Sequence, residues 1–195
     1  MENNLNETVP SPTKFKKFMK DGWDLIKFAA IALAIVIPIR MWIAQPFVVS
    51  GESMVPTFHN GEYLIVDEIS YILGNAKRGD VVVFRYPGDT KRFFIKRIIG
   101  LPNEKISINK SEVTIVNKEN PNGFKLTEPY INEKDFIGSA YETKDGEYFV
   151  MGDNRNRSSD SRYWGILPKK LLIGRAFLRL LPMKEISYLP GVYNQ

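Results

Sequence analysis

Hydrophobic positions follow two patterns along this chain, and the change falls near Pro46. Upstream, residues 28–39 read Phe-Ala-Ala-Ile-Ala-Leu-Ala-Ile-Val-Ile-Pro-Ile without a charge. That run alone is shorter than the ~20 residues needed to cross a bilayer. Extended over residues 23–43, a helix rising ~1.5 Å per residue spans about 30 Å. Lys27 and Arg40 then lie near its ends, where cationic side chains snorkel to headgroups, and Trp23 and Trp42 lie at the interfaces. A cleaved secretory signal is the rival reading, because the run has the length of a signal's apolar region and follows basic residues. The absence of a clean small-x-small cleavage site favours an anchor, and a buried core helix is a third reading. Lys14, Lys16, Lys17 and Lys20 precede the segment, which predicts a cytoplasmic N-terminus and an outward location for everything after Arg40.

Downstream, the pattern becomes short and extended. Residues 63–66, 81–84, 93–99, 105–109, 113–116, 148–151 and 176–181 are rich in β-branched and aromatic side chains and are separated by Gly, Pro, Asn and Asp. The connections are too short for crossover helices, so the sheets are expected to be antiparallel. Residues 117–145 are more polar and turn-rich, giving a small cap-like insertion with weak strands over about 105–146. Residues 169–181 fit an amphipathic surface helix or a half-buried strand, and Gly174 with the alternation after it favours the strand. The predicted fold is therefore mainly β: a single N-terminal transmembrane helix followed by an antiparallel β-sheet domain with a cap. Its divisions are a cytoplasmic tail (1–20, unstructured to about residue 13), an anchor (21–44) and an extracytoplasmic domain (45–195).

Composition narrows the chemistry. The formal charge is +5; six basic and four acidic side chains in residues 1–44 give +2 and leave +3 for the rest. The basic residues are dispersed and no nucleic-acid motif is present, so nucleic acid is not an expected partner. With no cysteine, thiol chemistry, disulfides and thiolate metal sites are excluded. The single histidine, His59, excludes a metal site built on several imidazoles. A Ser/His/Asp triad would have to use it, six residues after Ser53 in a polar turn, where an ordinary turn histidine is the simpler reading. No metal and no cofactor are expected.

Two residues stand out against this background. Ser53 lies in Ser50-Gly51-Glu52-Ser53-Met54-Val55-Pro56-Thr57-Phe58, where Gly and Pro predict a tight turn that presents the hydroxyl. Lys96 lies in Phe93-Phe94-Ile95-Lys96-Arg97-Ile98-Ile99, among apolar neighbours able to bury its amine. A serine hydroxyl needs a base before it attacks. A lysine at its ordinary pKa of ~10.4 is almost wholly charged at pH 7, so a base role needs a fall of roughly 3 units, about 4 kcal/mol, which desolvation can supply. Strand alternation sends Arg97 to the opposite face from Lys96. Read by itself, a strand lysine is more often a solvated edge or snorkelling side chain, and spacing does not establish contact with Ser53.

Three blocks of the chain resemble the type I signal peptidases, membrane-anchored serine proteases that remove signal peptides from exported proteins. They are Ser50-Gly51-Glu52-Ser53-Met54-Val55-Pro56-Thr57; Gly79-Asp80-Val81-Val82-Val83-Phe84 followed by Lys96-Arg97-Ile98-Ile99-Gly100-Leu101-Pro102; and Gly152-Asp153-Asn154-Arg155-Asn156-Arg157-Ser158-Ser159-Asp160-Ser161-Arg162-Tyr163-Trp164-Gly165. The resemblance implies that Ser53 is the acylating nucleophile and Lys96 the general base. It further implies that Ser158 orients the lysine through a hydrogen bond and that Asp160 and Arg162 form a supporting pair. It implies cleavage after small residues (Ala-x-Ala), with Phe47, Val49, Met54, Leu64, Phe94 and Ile95 lining shallow pockets and the substrate bound as an extended strand. The implied partners are signal peptides of secreted preproteins, the lipid bilayer and the secretion translocon.

The chain departs from the commonest pattern at Gly51, where many members carry a serine that donates to the oxyanion. The oxyanion region is thus Gly51 and Ser53, with the Ser53 N–H one donor and the second unassigned. Asn156, Arg157, Asn103 and Glu104 also differ from the usual residues. Two rival readings are a self-cleaving repressor-type Ser/Lys protease, which lacks a membrane span and carries a DNA-binding domain, and an inert signal-peptidase-like assembly factor, which need not retain both Ser53 and Lys96.

Overall fold

In this computed structural model the described residues are 12–38, 44–110, 112–131 and 136–192. Residues Met1–Met41 and Trp42–Gln195 form two compact units. In the first, helix α1 (Pro12–Pro38) runs for 27 residues. Pro12 opens it at a position where a missing N–H costs nothing. Residues 12–20, expected as a tail, are therefore helical, because Lys, Phe and Met continue the helix without a breaker. Among the described residues no helix is long and apolar enough to cross a membrane. Asp21, Asp24 and Lys27 interrupt the middle of α1, and residues 39–43, which the expected span requires, lie outside the described residues.

The second unit is built from β1 (Ala44–Val48), β2 (Tyr63–Asp67), α2 (Ile69–Leu73), β3 (Val81–Tyr86), β4 (Asp89–Gly100), β5 (Lys105–Lys110), β6 (Glu112–Val116), β7 (Phe124–Lys125), β8 (Phe136–Glu142), β9 (Glu147–Met151), α3 (Ser161–Trp164), β10 (Leu167–Pro168), β11 (Leu172–Leu181) and β12 (Ser187–Tyr188). An eight-stranded sheet has the order β1-β2-β11-β3-β4-β9-β10, with β12 on β11, and a four-stranded sheet has the order β7-β6-β5-β8. The pairings are antiparallel. Each stretch expected to be extended is a strand, including the C-terminal β11. Residues 105–146 carry the second sheet.

Strand β4 is longer than its apolar part because the hairpin with β3 continues to the Tyr86–Asp89 pair around Pro87-Gly88. Its C-terminal half is central and pairs with both β3 and β9. One face carries Ile98 into a core with Val82, Phe84, Tyr148 and Val150. The other carries Ile99 into a core with Ile106, Ile115, Phe149 and Met151 beneath the second sheet. Each such fully buried side chain contributes about 1.5–3 kcal/mol. A third core gathers Val49, Met54, Phe58, Leu64, Val81 and Ala176, and Ile95 packs against it. Anchored on both faces, β4 holds residue 96 in a fixed place.

Candidate active site

Ser53 lies in the turn segment between β1 and β2. Gly51 adopts φ +93°, a left-handed conformation that glycine takes readily, and donates its N–H to Asn60 Oδ1 at 2.9 Å. A side chain at residue 51 would meet open space but would strain that backbone. Beyond Ser53, Phe58 N–H donates to Met54 O at 2.9 Å, and Asn154 N–H donates to Ser53 O at 3.0 Å. The third block thus grips the serine segment through the main chain.

Lys96 Nζ donates to Ser53 Oγ at 2.7 Å and to Ile95 O at 2.8 Å. The residue is 4% exposed, its cross-strand partner Val82 is fully buried, and its amine lies 5.2 Å from the Phe94 ring centroid. Burial lowers the lysine pKa to about 8, against the opposing pull of Asp160 and Asp153. The bonds to Oγ and to Ile95 O fix where the nitrogen points.

Asp160 is fully buried and accepts from Gly152 N–H at 3.0 Å and from Arg162 Nε and Nη2, each at 2.8 Å. Arg162 Nη2 also donates to Arg155 O at 2.6 Å. Asp160 and Arg162 therefore shape the loop of the third block. Ser158 is buried, but its Oγ makes no hydrogen bond within the described residues, and the expected bond to Lys96 is absent from this structure. Ile95 O occupies that role on the amine instead. Gly152 lies against Ser158 Oγ and Ser53 O so closely that any Cβ there collides with both. Glycine is required because the serine turn and the segment bearing Ser158 meet over it.

Ser53 and Lys96 open into a cleft of about 510 Å³. Of the residues expected in its pockets, Phe47, Val49, Leu64, Phe94 and Ile95 line it, as does Gly51. Met54 does not: it is 1% exposed and sits in the core below, because the turn after Ser53 directs it inward. Glu52, Arg92, Phe93, Arg157 and Ser159 also line the cleft and had no role assigned from sequence. Glu52 and Arg157 form an exposed ion pair at 2.5 Å. His59 is exposed on its turn.

Sequence reasoning also missed a buried network beside the lysine. Arg97, fully buried, donates to Asp153 through Nε at 2.8 Å and Nη2 at 2.5 Å and to Gly79 O at 2.8 Å, and it bonds Gly191 O. Thr57 Oγ1 donates to Asp153 at 2.5 Å, and the Tyr130 ring centroid lies 3.9 Å from the guanidinium. Arg155 pairs with Glu128. An arginine in an apolar strand flank was the available signal, and it pointed to no partner. Among the described residues no group of three or more metal-ligating side chains occurs.

Residues 22–181 match the family described as signal peptidase, peptidase S26, and the chain belongs to that family. It is 36% identical over 185 residues to the probable signal peptidase I-1 of Synechocystis, covering 91% of this chain and 88% of the relative. It is 36% identical to signal peptidase I of Bacillus licheniformis, over 84% of this chain and 91% of the relative. A crystal structure of a signal peptidase I from Enterococcus faecalis is 30% identical, with a TM-score of 0.45, covering 51% of this chain and 95% of that one. The protein is accordingly a serine endopeptidase of the type I signal peptidase class.

Proposed function

We propose that the protein cleaves signal peptides from exported preproteins with Ser53 as nucleophile and Lys96 as base. The observation that carries this reading is the 2.7 Å approach of Lys96 Nζ to Ser53 Oγ in surroundings that bring the amine to about pKa 8. At that value about a tenth of the molecules hold a neutral amine at pH 7, several hundred times more than for a free lysine. Neutral Nζ takes the hydroxyl proton as Oγ bonds to the scissile carbonyl carbon, and the Ser53 N–H stabilises the oxyanion. The resulting ammonium returns the proton to the departing nitrogen as the C–N bond breaks. Water then loses a proton to the neutral amine while attacking the ester, and Ser53 is regenerated with the released carboxyl group. Asp160 and Arg162 hold the loop that carries Gly152 and Asn154, and the Asn154 N–H binds Ser53 O.

The substrate lies extended against exposed strand edges, bound by main-chain hydrogen bonds. Phe47 and Phe93 approach edge to face at 5.5 Å, which brings β1 and β4 together across the cleft. Phe47, Val49, Leu64, Phe94 and Ile95 leave room for a methyl and exclude larger groups, hence Ala-x-Ala specificity. The apolar stretch that begins in α1 is the single membrane anchor. Large exposed apolar residues on α1, including Phe28, Ile31, Leu33 and Val36, support that assignment. The catalytic unit faces the outer membrane surface, with the lipid bilayer and the secretion translocon as partners.

The test is cleavage of a preprotein carrying Ala-x-Ala by the full chain in detergent. Ser53→Ala and Lys96→Ala are each expected to lose at least ~10³-fold in kcat, and wild-type kcat/KM to rise with pH through about 8. Retained cleavage by Lys96→Ala removes the proposed base.

A further inference from the structure

On β4, Arg92 stands four residues before Lys96, on the same face, with Phe94 between them. Its guanidinium lies 5.3 Å from the Phe94 ring centroid and 5.8 Å from that of Tyr86. The two rings stack at 4.7 Å with 16° between their planes, so the guanidinium rests on a rigid aromatic platform. Arg92 is exposed, lines the cleft, and makes no ion pair and no hydrogen bond within the described residues. Its five N–H donors are thus ordered by the rings and left without acceptors.

The position of Arg92 selects what it meets. Four residues of strand span about 13 Å at ~3.3 Å each. An acyl chain laid extended along β4 from Ser53 covers the same distance in four residues, so the fifth residue before the scissile bond comes level with Arg92. The acyl side runs in this direction because Phe94 and Ile95 lie on β4 between Arg92 and Lys96. At about that distance a signal peptide changes from its extended small-residue end to an apolar segment of roughly 7–15 residues. In apolar surroundings that segment is helical. A helix ends in up to four unpaired carbonyls carrying a partial charge of about −0.5.

We propose that Arg92 caps the carboxyl end of the signal peptide's apolar helix, donating to its last unpaired carbonyls and so fixing the distance from helix end to Ser53. This rests on the peptidase reading above and adds a residue that recognises the helix-to-extended transition rather than the small residues at the cut. The acceptor is main-chain carbonyl, so recognition is independent of the sequence of the apolar segment.

The experiment uses the full chain in uncharged detergent with two peptides. One carries the complete apolar segment; the other begins four residues before the scissile bond. Arg92→Ala is expected to raise KM for the long peptide about five-fold more than for the short one, the scale of one helix-end charge interaction. The kcat ratio of the two peptides should stay unchanged, and Arg92→Lys should recover part of the difference. Equal effects on both peptides, or none on either, overturn the proposal, the former because Arg92 then acts only by shaping the cleft through Phe94. A difference that emerges only in vesicles of anionic phospholipid also overturns it, in favour of a headgroup contact. Failure of the peptidase reading is distinguishable, since wild-type protein would then cleave neither peptide.

Discussion

The two sheets bury different things. In β5 and β6 every second residue points inward, and Ile106, Ile108, Val113 and Ile115 meet Phe149 and Met151 in a core of aliphatic and aromatic groups. At the β3–β4–β9 part of the larger sheet, Lys96 and Arg97 of β4 and Asp153, Arg155, Ser158 and Asp160 of the segment after β9 are all buried. The first region is held by surface removed from water, which is non-directional and tolerant. The second is held by paired and hydrogen-bonded charges, where losing one partner leaves the other stranded in a low-dielectric interior. The contrast separates a scaffold from a site: a cluster of buried charges lies where the proposed chemistry needs a fixed amine and a fixed hydroxyl.

The sharpest way to break this comparison is to remove one charge of the Arg97–Asp153 pair, both members of which are fully buried. Asp153→Asn leaves the guanidinium without its counter-charge and is expected to cost about 4 kcal/mol in urea unfolding. The loss should extend to activity, because Asp153 also holds Thr57 in the serine loop and Arg97 follows Lys96 in β4. In the second sheet, Ile115→Ala creates a cavity and is expected to cost about 3 kcal/mol. Its kcat should be unaffected below the unfolding temperature, since β6 contributes nothing to the cleft. If Asp153→Asn proves milder than Ile115→Ala, the buried charges do not hold the site region and the contrast fails.

The same division explains what was legible in the sequence. Alternation at period two identifies β5 and β6 directly, because one face is dry and the other wet. β8 shows only as weak strand character in the cap: Gly138, Ser139 and Ala140 interrupt any alternation, and β5 supplies its pairing. β1 follows the apolar run directly and contains Pro46, so no alternation marks it as a strand. The insertion of β11 between β2 and β3 is a long-range pairing that no local pattern encodes. Ser53 and Lys96 are readable one at a time, from a Gly/Pro turn and an apolar strand, and the blocks around them link them to a known family. Asp153 lies 56 residues from the arginine it neutralises, and only a folded chain brings them together. Met54, read as a pocket residue, is core because the direction of the turn after Ser53 is not encoded in side-chain type.

The smallest of these effects sharpens the comparison most, because its sign reverses. Lys96 holds its proton to about pH 10.5 in the unfolded chain but only to about 8 when folded. Between those values the unfolded state binds more protons, so stability rises with pH across that window, and below pH 8 the full penalty of burying the ammonium is present. Lys96→Met keeps the shape of the stem and removes the charge. At pH 7 it should therefore stabilise the fold by about 2 kcal/mol, the pKa displacement offset by the lost hydrogen bonds to Ser53 and Ile95. The gain should shrink as pH rises from 8 and become a loss of about 1 kcal/mol above 10.5, where only the missing hydrogen bonds count, while peptidase activity is lost at every pH. Urea unfolding of wild type and variant across this range measures it. A destabilised variant at pH 7 would mean that the amine is not held against its own solvation, and a base held without that tension would stay protonated where the enzyme has to work.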